Sequence, residues 1–308
     1  MTTTMHTVLG ASGGAGSAIA LALRDADIPT RAVSRSKPAL PAGIEVASAD
    51  ITDPDALVAA LAGSGVVYMA AQPPYHRWTE EFPDMLEGVI VASGAIGAKL
   101  IMVDNLYAYG PGHDRLTPTT PHAATDRKGV VRHQMHERLL AAHRRGELRV
   151  AIGQASDYYG PRSDNSAVTS LAVAPIGADG ALRWIGSLEA PHSIAYLPDT
   201  ARAFVVLGTS DEADGSTWVL PHGEPVTGRQ FIDLVNSHLD KPRKASRVSK
   251  AMLTMAAPFH RISRETLGIS YQWTDPWIAD DSAFQAAFGP FTPTPLEVAV
   301  AEAVAAYR

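Results

Sequence analysis

Gly10, Gly13 and Gly16 stand three apart in the run Val8-Leu9-Gly10-Ala11-Ser12-Gly13-Gly14-Ala15-Gly16, directly after an apolar strand and at the opening of a helix. A turn of this kind holds phosphate. The first glycine permits the tight bend, a middle one lets the backbone approach a diphosphate, and the last allows close contact between helix and strand. Free N–H groups and the positive end of the helix dipole then face the anion, with Ser12, Gly14 and Ala15 in the same cradle. The ligand expected is a nicotinamide dinucleotide. At the end of the second strand the chain reads Ser34-Arg35-Ser36-Lys37, where an acidic residue would hold a ribose diol. Arg35 with flanking hydroxyls favours a 2′-phosphate instead, so NADP is expected ahead of NAD. Asp50 is placed either for the adenine edge or for the start of the following helix, and Ala70 and Ala71 complete the coenzyme site after the fourth strand.

Groups able to move a proton lie further along. Tyr107 and Tyr109 follow the fifth strand, where a phenol would either reach a substrate carbonyl or pack beneath the coenzyme, and Asn105 would orient the polar group being reduced. Tyr75-His76-Arg77-Trp78 after Pro73-Pro74 reads as an aromatic lid or as surface packing. His133, His136 and His143 share a helix, with His113 and His122 before it. Their spacing is not H-E-x-x-H and no acidic partner is fixed, so no metal is expected. His192 reads equally well as structural.

The elements that carry these residues alternate between short apolar runs and helical stretches, the pattern of parallel βαβ units. Strands are expected at 7–9, 30–33, 44–47, 66–70, 100–103 and 148–152, with helices over 15–24, 53–61, 82–97 and 124–145. Six strands would complete the sheet. Beyond Tyr159 glycines and prolines break the alternation, and Thr227 with Gln230 forms a capping box for a helix through Leu239. Lys250 to Thr274, rich in Met, Phe and Trp, reads as buried core more readily than as a pocket cover. The fold class expected is α/β: a Rossmann-type doubly wound parallel sheet, residues 1–160, followed by a mixed segment, 161–308, with a smaller C-terminal substrate-binding lobe and returns to the core.

Composition narrows the function classes. With 308 residues, 46% of them hydrophobic, the chain can bury a large core, and its net charge of -6 leaves no basic footprint for nucleic acid. It contains no cysteine, which removes thiolate chemistry. The N-terminal residues lack the pattern of a signal peptide or a membrane span, so a cytoplasmic monomer or homodimer acting on a small molecule is expected.

With these residues in place, the chain resembles the extended or atypical short-chain dehydrogenase/reductase superfamily, which includes NAD-dependent epimerases and dehydratases. Ala49-Asp50-Ile51-Thr52-Asp53, Asp104 to Gly110, Gln154-Ala155-Ser156-Asp157-Tyr158-Tyr159-Gly160-Pro161 and His192 to Ala201 follow one another in that family's order. The resemblance implies a tyrosine acid with a lysine four residues later, yet the corresponding helix reads Thr125-Asp126-Arg127-Lys128-Gly129-Val130-Val131-Arg132-His133. Lys128 followed by Arg132 is similar to the isoflavone reductase-like branch, which implies Lys128 as the proton donor. The activity expected is an NADP-dependent oxidoreductase. An epimerase, dehydratase or isomerase that retains NAD(P), or a catalytically silent coenzyme sensor, are the alternatives.

Overall fold

The computed structural model describes residues 4–308. Its first half places β1 (Met5–Leu9), α1 (Gly14–Asp25), β2 (Thr30–Ser34), β3 (Glu45–Ser48), α2 (Pro54–Leu61), β4 (Ser64–Met69), α3 (Trp78–Ala95), β5 (Lys99–Asn105), α4 (Arg127–Arg144) and β6 (Val150–Ala155) in order. Strand residues alternate between two buried faces. Val8, Tyr68 and Ile101 meet α1 on one side, while Leu9, Met69 and Met102 meet α2, α3 and α4 on the other. Helices on both faces are what a parallel sheet requires.

The second half comprises β7 (Asp157–Tyr159), α5 (Ala167–Ala172), β8 (Leu182–Ile185), β9 (Pro191–His192), β10 (Ile194–Tyr196), α6 (Leu197–Thr209), β11 (Ser216–Val219), β12 (Val226–Thr227), α7 (Gly228–Ser237), β13 (Ala245–Val248), α8 (Lys250–Ala256), α9 (Arg261–Gly268), α10 (Ser282–Phe288) and α11 (Leu296–Ala306). Three of these elements rejoin the core: β11, α6 and α10, the last through Phe284. β11 pairs parallel with β6, so the sheet has seven strands rather than the six expected. α6 packs with α1 on the same face, and its Phe204 and Leu207 lie against Gly153 of β6. Most of the other elements gather around a separate core of Trp184, Phe231, Trp273 and Val300.

The sheet order is β11-β6-β5-β4-β1-β2-β3, with every pairing parallel. The chain leaves the β3 edge and returns beside β1 as β4, which creates a switch point between β1 and β4. Ligands of such sheets bind there, outside the carboxyl ends of the strands. Residues 250–274 are not the buried core expected of them. Met255 is 70% exposed, Phe259 93% and Ile262 66%, so α8 and α9 are a surface cover anchored to the core by Leu253, Leu267 and residues from Ile269 onward. Thr227 and Gln230 do form the reciprocal capping box at the start of α7.

Candidate active site

The turn after β1 is built from close backbone approaches. Gly10 has φ +85°, and a Cβ on it would lie 2.5 Å from the Ala71 nitrogen, so the strand end at Ala70 and Ala71 crosses directly over it. A Cβ at Gly16 would lie 2.4 Å from the Gly10 carbonyl oxygen, and one at Gly14 would lie 2.2 Å from that of Arg162. Gly13 differs. Its nearest atom would be 3.4 Å away, and it lines an open cleft. The Gly13 N–H donates to the Gly10 carbonyl at 3.0 Å, while Gly14, Ala15 and Gly16 form the first turn of α1, where no carbonyl within the helix can accept. No acidic side chain occupies that turn. The residues therefore fit a dinucleotide diphosphate, with three amides and the helix dipole aimed at it.

Arg35 lies exposed at the far end of the cleft. Its backbone is fixed by the Ser48 hydroxyl, which donates to the Arg35 carbonyl at 2.7 Å, and the Ser34 hydroxyl donates to Ser36 at 2.6 Å. Asp50 accepts from the Thr52 amide at 3.0 Å and its hydroxyl at 2.7 Å, bonds that hold its carboxyl below the usual range. The cap of α2 is Asp53, which accepts from Asp55 and Ala56. Asp50 thus belongs to the cleft wall and not to the helix cap.

One cleft of about 1650 Å³ runs from Gly13 and Arg35 past Ala70, Ala71 and Tyr75 to Asn105, Tyr107, Tyr158 and Trp273. Ser12, Gly14, Ala15 and Gly16 line it as well. Asn105 Oδ1 accepts the Tyr107 backbone N–H at 3.0 Å, which leaves its NH₂ group as a donor. Of the two tyrosines after β5, Tyr107 lines the cleft, whereas Tyr109 is buried and donates to Gln154 at 2.6 Å. Burial, reinforced by the Asp157 charge, pushes the Tyr107 hydroxyl far above its ordinary pKa. Tyr75 is raised by burial too, and it roofs the cleft with Trp78 packed edge-on at 4.9 Å.

Lys128 is placed differently from the expectation. Its ammonium donates to the Tyr75 carbonyl, pairs with Glu265 of α9 at 2.9 Å and sits 3.7 Å from the Tyr75 ring centre. It lies behind Tyr75 and is not part of the cleft lining. Burial lowers its pKa and the bond to Glu265 works against that.

The residue at the expected lysine spacing, Arg132, does line the cleft. It pairs with Asp104 at 2.8 Å and lies over Trp78 and Phe82 at 4.3 and 4.5 Å. Burial alone would raise Asp104, but Arg132 and His136, the latter hydrogen-bonded to it, bring its carboxyl below the usual value. Sequence reasoning also missed Arg162 beside Gly14 and Asp157 beside the tyrosines, although both stand in or next to the quoted Gln154-to-Pro161 segment. Asp157 meets His192 at 2.9 Å. Among the described residues no group of three or more His, Asp or Glu is placed to hold a metal, and no helix is long and apolar enough to cross a membrane.

The model of the "NAD dependent epimerase/dehydratase family" matches residues 6–220. No curated protein matches the sequence significantly. Among solved structures, the chain is similar to UDP-glucuronic acid 4-epimerase from Bacillus cereus in complex with UDP-glucuronic acid and NAD, with TM-score 0.79, 17% identity and 99% of each chain covered. UDP-glucose 4-epimerase from Thermotoga maritima with UDP-glucose gives TM-score 0.81 and 15% identity over 99% of this chain and 98% of that one. The Bordetella bronchiseptica enzyme WbmH in complex with NAD+ gives 0.76 and 17%, over 99% and 98%. At these identities the structures establish the fold, and none speaks for the isoflavone reductase-like resemblance at Lys128.

Proposed function

The chain belongs to the NAD-dependent epimerase/dehydratase family, and from that membership we propose that it binds a nicotinamide dinucleotide along the Gly10–Gly16 turn and acts on a small organic alcohol or carbonyl beyond it. One observation carries the reading: a single cleft joins the amides of Gly14, Ala15 and Gly16 to the polar groups of Asn105 and Tyr107. Its volume of about 1650 Å³ exceeds the roughly 300–1,000 Å³ of a usual small-ligand pocket, as a coenzyme and a substrate together require. The coenzyme, when bound, supplies a hydride acceptor and donor. The chain's own residues do the rest. Gly14, Ala15 and Gly16 neutralise diphosphate charge, with Arg162 across the turn, and Arg35 meets a 2′-phosphate. The Asn105 NH₂ and the Tyr107 hydroxyl, held protonated by burial, donate to the substrate oxygen.

Family membership favours an epimerase, dehydratase or isomerase that keeps its coenzyme and returns the hydride. Arg35 favours a second reading, a reductase that draws on free NADPH. Calorimetry with NADPH and NADH, followed by assays with UDP-glucose, UDP-glucuronic acid and a panel of aryl ketones, separates them. Product without net change in nicotinamide absorbance supports the first, and steady NADPH consumption supports the second. A folded sample giving no heat with either coenzyme overturns both.

A further inference from the structure

The cleft lacks the phenol that would gain and lose the reaction's proton, since burial holds Tyr107 and Tyr75 protonated and Lys128 is engaged elsewhere. We propose that Asp157 and His192 together take up and return that proton, with Asp157 as the catalytic residue facing the substrate and His192 as its positioning partner. This rests on the reading of the cleft as a hydride-transfer site.

The hydrogen bonds leave little freedom. His192 Nδ1 lies 3.0 Å from the Gln272 carbonyl oxygen, which can only accept, so Nδ1 carries a hydrogen. Nε2 faces Asp157 Oδ2 at 2.9 Å. A bare nitrogen lone pair against a carboxylate would be repulsive, so this contact holds a proton, on one partner or the other. His192 is 2% exposed, whereas Asp157 lines the cleft and opens it to the pair. The relay balances. The substrate O–H bond breaks as its proton bonds to Asp157 Oδ1, and any proton on Oδ2 passes to His192 Nε2. The positive charge then resides on an imidazole whose Nδ1–H is held by a carbonyl. That ring stacks on Trp273 at 4.3 Å and 16°, an arrangement that favours a cation. The return step runs the same transfers backward.

The pair is braced from several elements. β7 carries Asp157 and Tyr158, and pairs in parallel with β10, two residues beyond His192. Tyr75 and Tyr107 feel the Asp157 charge from the roof and from the segment after β5, and Arg132 acts on Tyr107 and Tyr158 from α4. None of these phenols competes for the proton near neutrality, because burial raises all three.

Nitrogen NMR on protein labelled with ¹⁵N-histidine tests the pair without any substrate. The wild type should show His192 with a protonated Nδ1 and a shared proton at Nε2. In D157N the Nε2 signal should move to that of a bare acceptor, because an Asn amide donates to it. A wild-type His192 whose Nδ1 carries no hydrogen overturns the proposal, whichever partner holds the second proton. In turnover with any member of the panel above, D157N should lose roughly 10²–10⁴-fold in kcat, the usual contribution of a general acid or base. NADPH affinity should stay intact, and H192Q should alter the pH profile of kcat. Full kcat in D157N overturns the relay while leaving the coenzyme reading standing, and lost coenzyme binding in the wild type strikes the reading itself.

Discussion

In the proposed function, Arg35 is the one side chain that would tell NADPH from NADH. It is exposed and its backbone is fixed by Ser48, so its removal takes away charge without disturbing packing. Hydrogen bonds to charged groups contribute about 1.5–3 kcal/mol, so R35A should weaken NADPH binding roughly 10- to 100-fold and leave NADH binding unchanged. Calorimetry with both coenzymes checks this, and equal losses for the two would refute the 2′-phosphate assignment. Asp104 presents the opposite situation, being 3% exposed and paired with Arg132 and His136. Removing one partner strands a buried guanidinium, and D104N should therefore cost about 3–5 kcal/mol of stability, read as a lowered urea midpoint.

Lys128 acts between elements. Its ammonium joins α4 to the Tyr75 carbonyl of the roof and to Glu265 on α9, the cover whose Phe259 and Ile262 face solvent. K128A should loosen that cover. Losing an ionic hydrogen bond of about 1.5 kcal/mol should speed amide hydrogen exchange over residues 250–268 roughly tenfold, with the sheet unaffected. A variant with unchanged exchange but lost turnover would instead make Lys128 the proton donor. How far such features can be read in advance follows from their range along the chain. β1, the glycine turn and α1 are contiguous, and buried strands such as Leu100–Val103 announce themselves as apolar runs. β11 does not, because Ser216, Thr217 and Trp218 are only half-buried at the sheet edge. α9 misleads, since Ile262 faces the cleft and solvent while only Leu267 leans on the core. Asp157 and His192 are 35 positions apart, and only the pairing of β7 with β10 brings their side chains together.

At the scale of the whole molecule, acid acts on His6, a histidine buried in its uncharged form. His6 stands on β1, near the centre of the sheet, with its Nδ1 3.0 Å from the Tyr68 hydroxyl on β4. Burial, aided by the charge of Lys99, lowers its pKa from 6.5 to about 4. Burial raises the Tyr68 pKa, so the phenol keeps its proton and donates to a neutral ring. Between these limits the unfolded chain binds a proton that the folded chain refuses. Stability is therefore complete above pH 6.5 and declines as pH falls toward 4, by up to about 3 kcal/mol at about 1.4 kcal/mol per pH unit. His122, lowered to about 4 chiefly by burial, adds in the same direction. Asp104 contributes only at lower pH, where its depressed carboxyl finally takes a proton. Urea titrations across pH 4–7 should show the midpoint falling with acid, and H6N should flatten that slope because an amide side chain can accept from Tyr68 without titrating. A slope identical in H6N would assign the acid sensitivity to other groups and would mean that β1 tolerates a charge at the centre of the sheet.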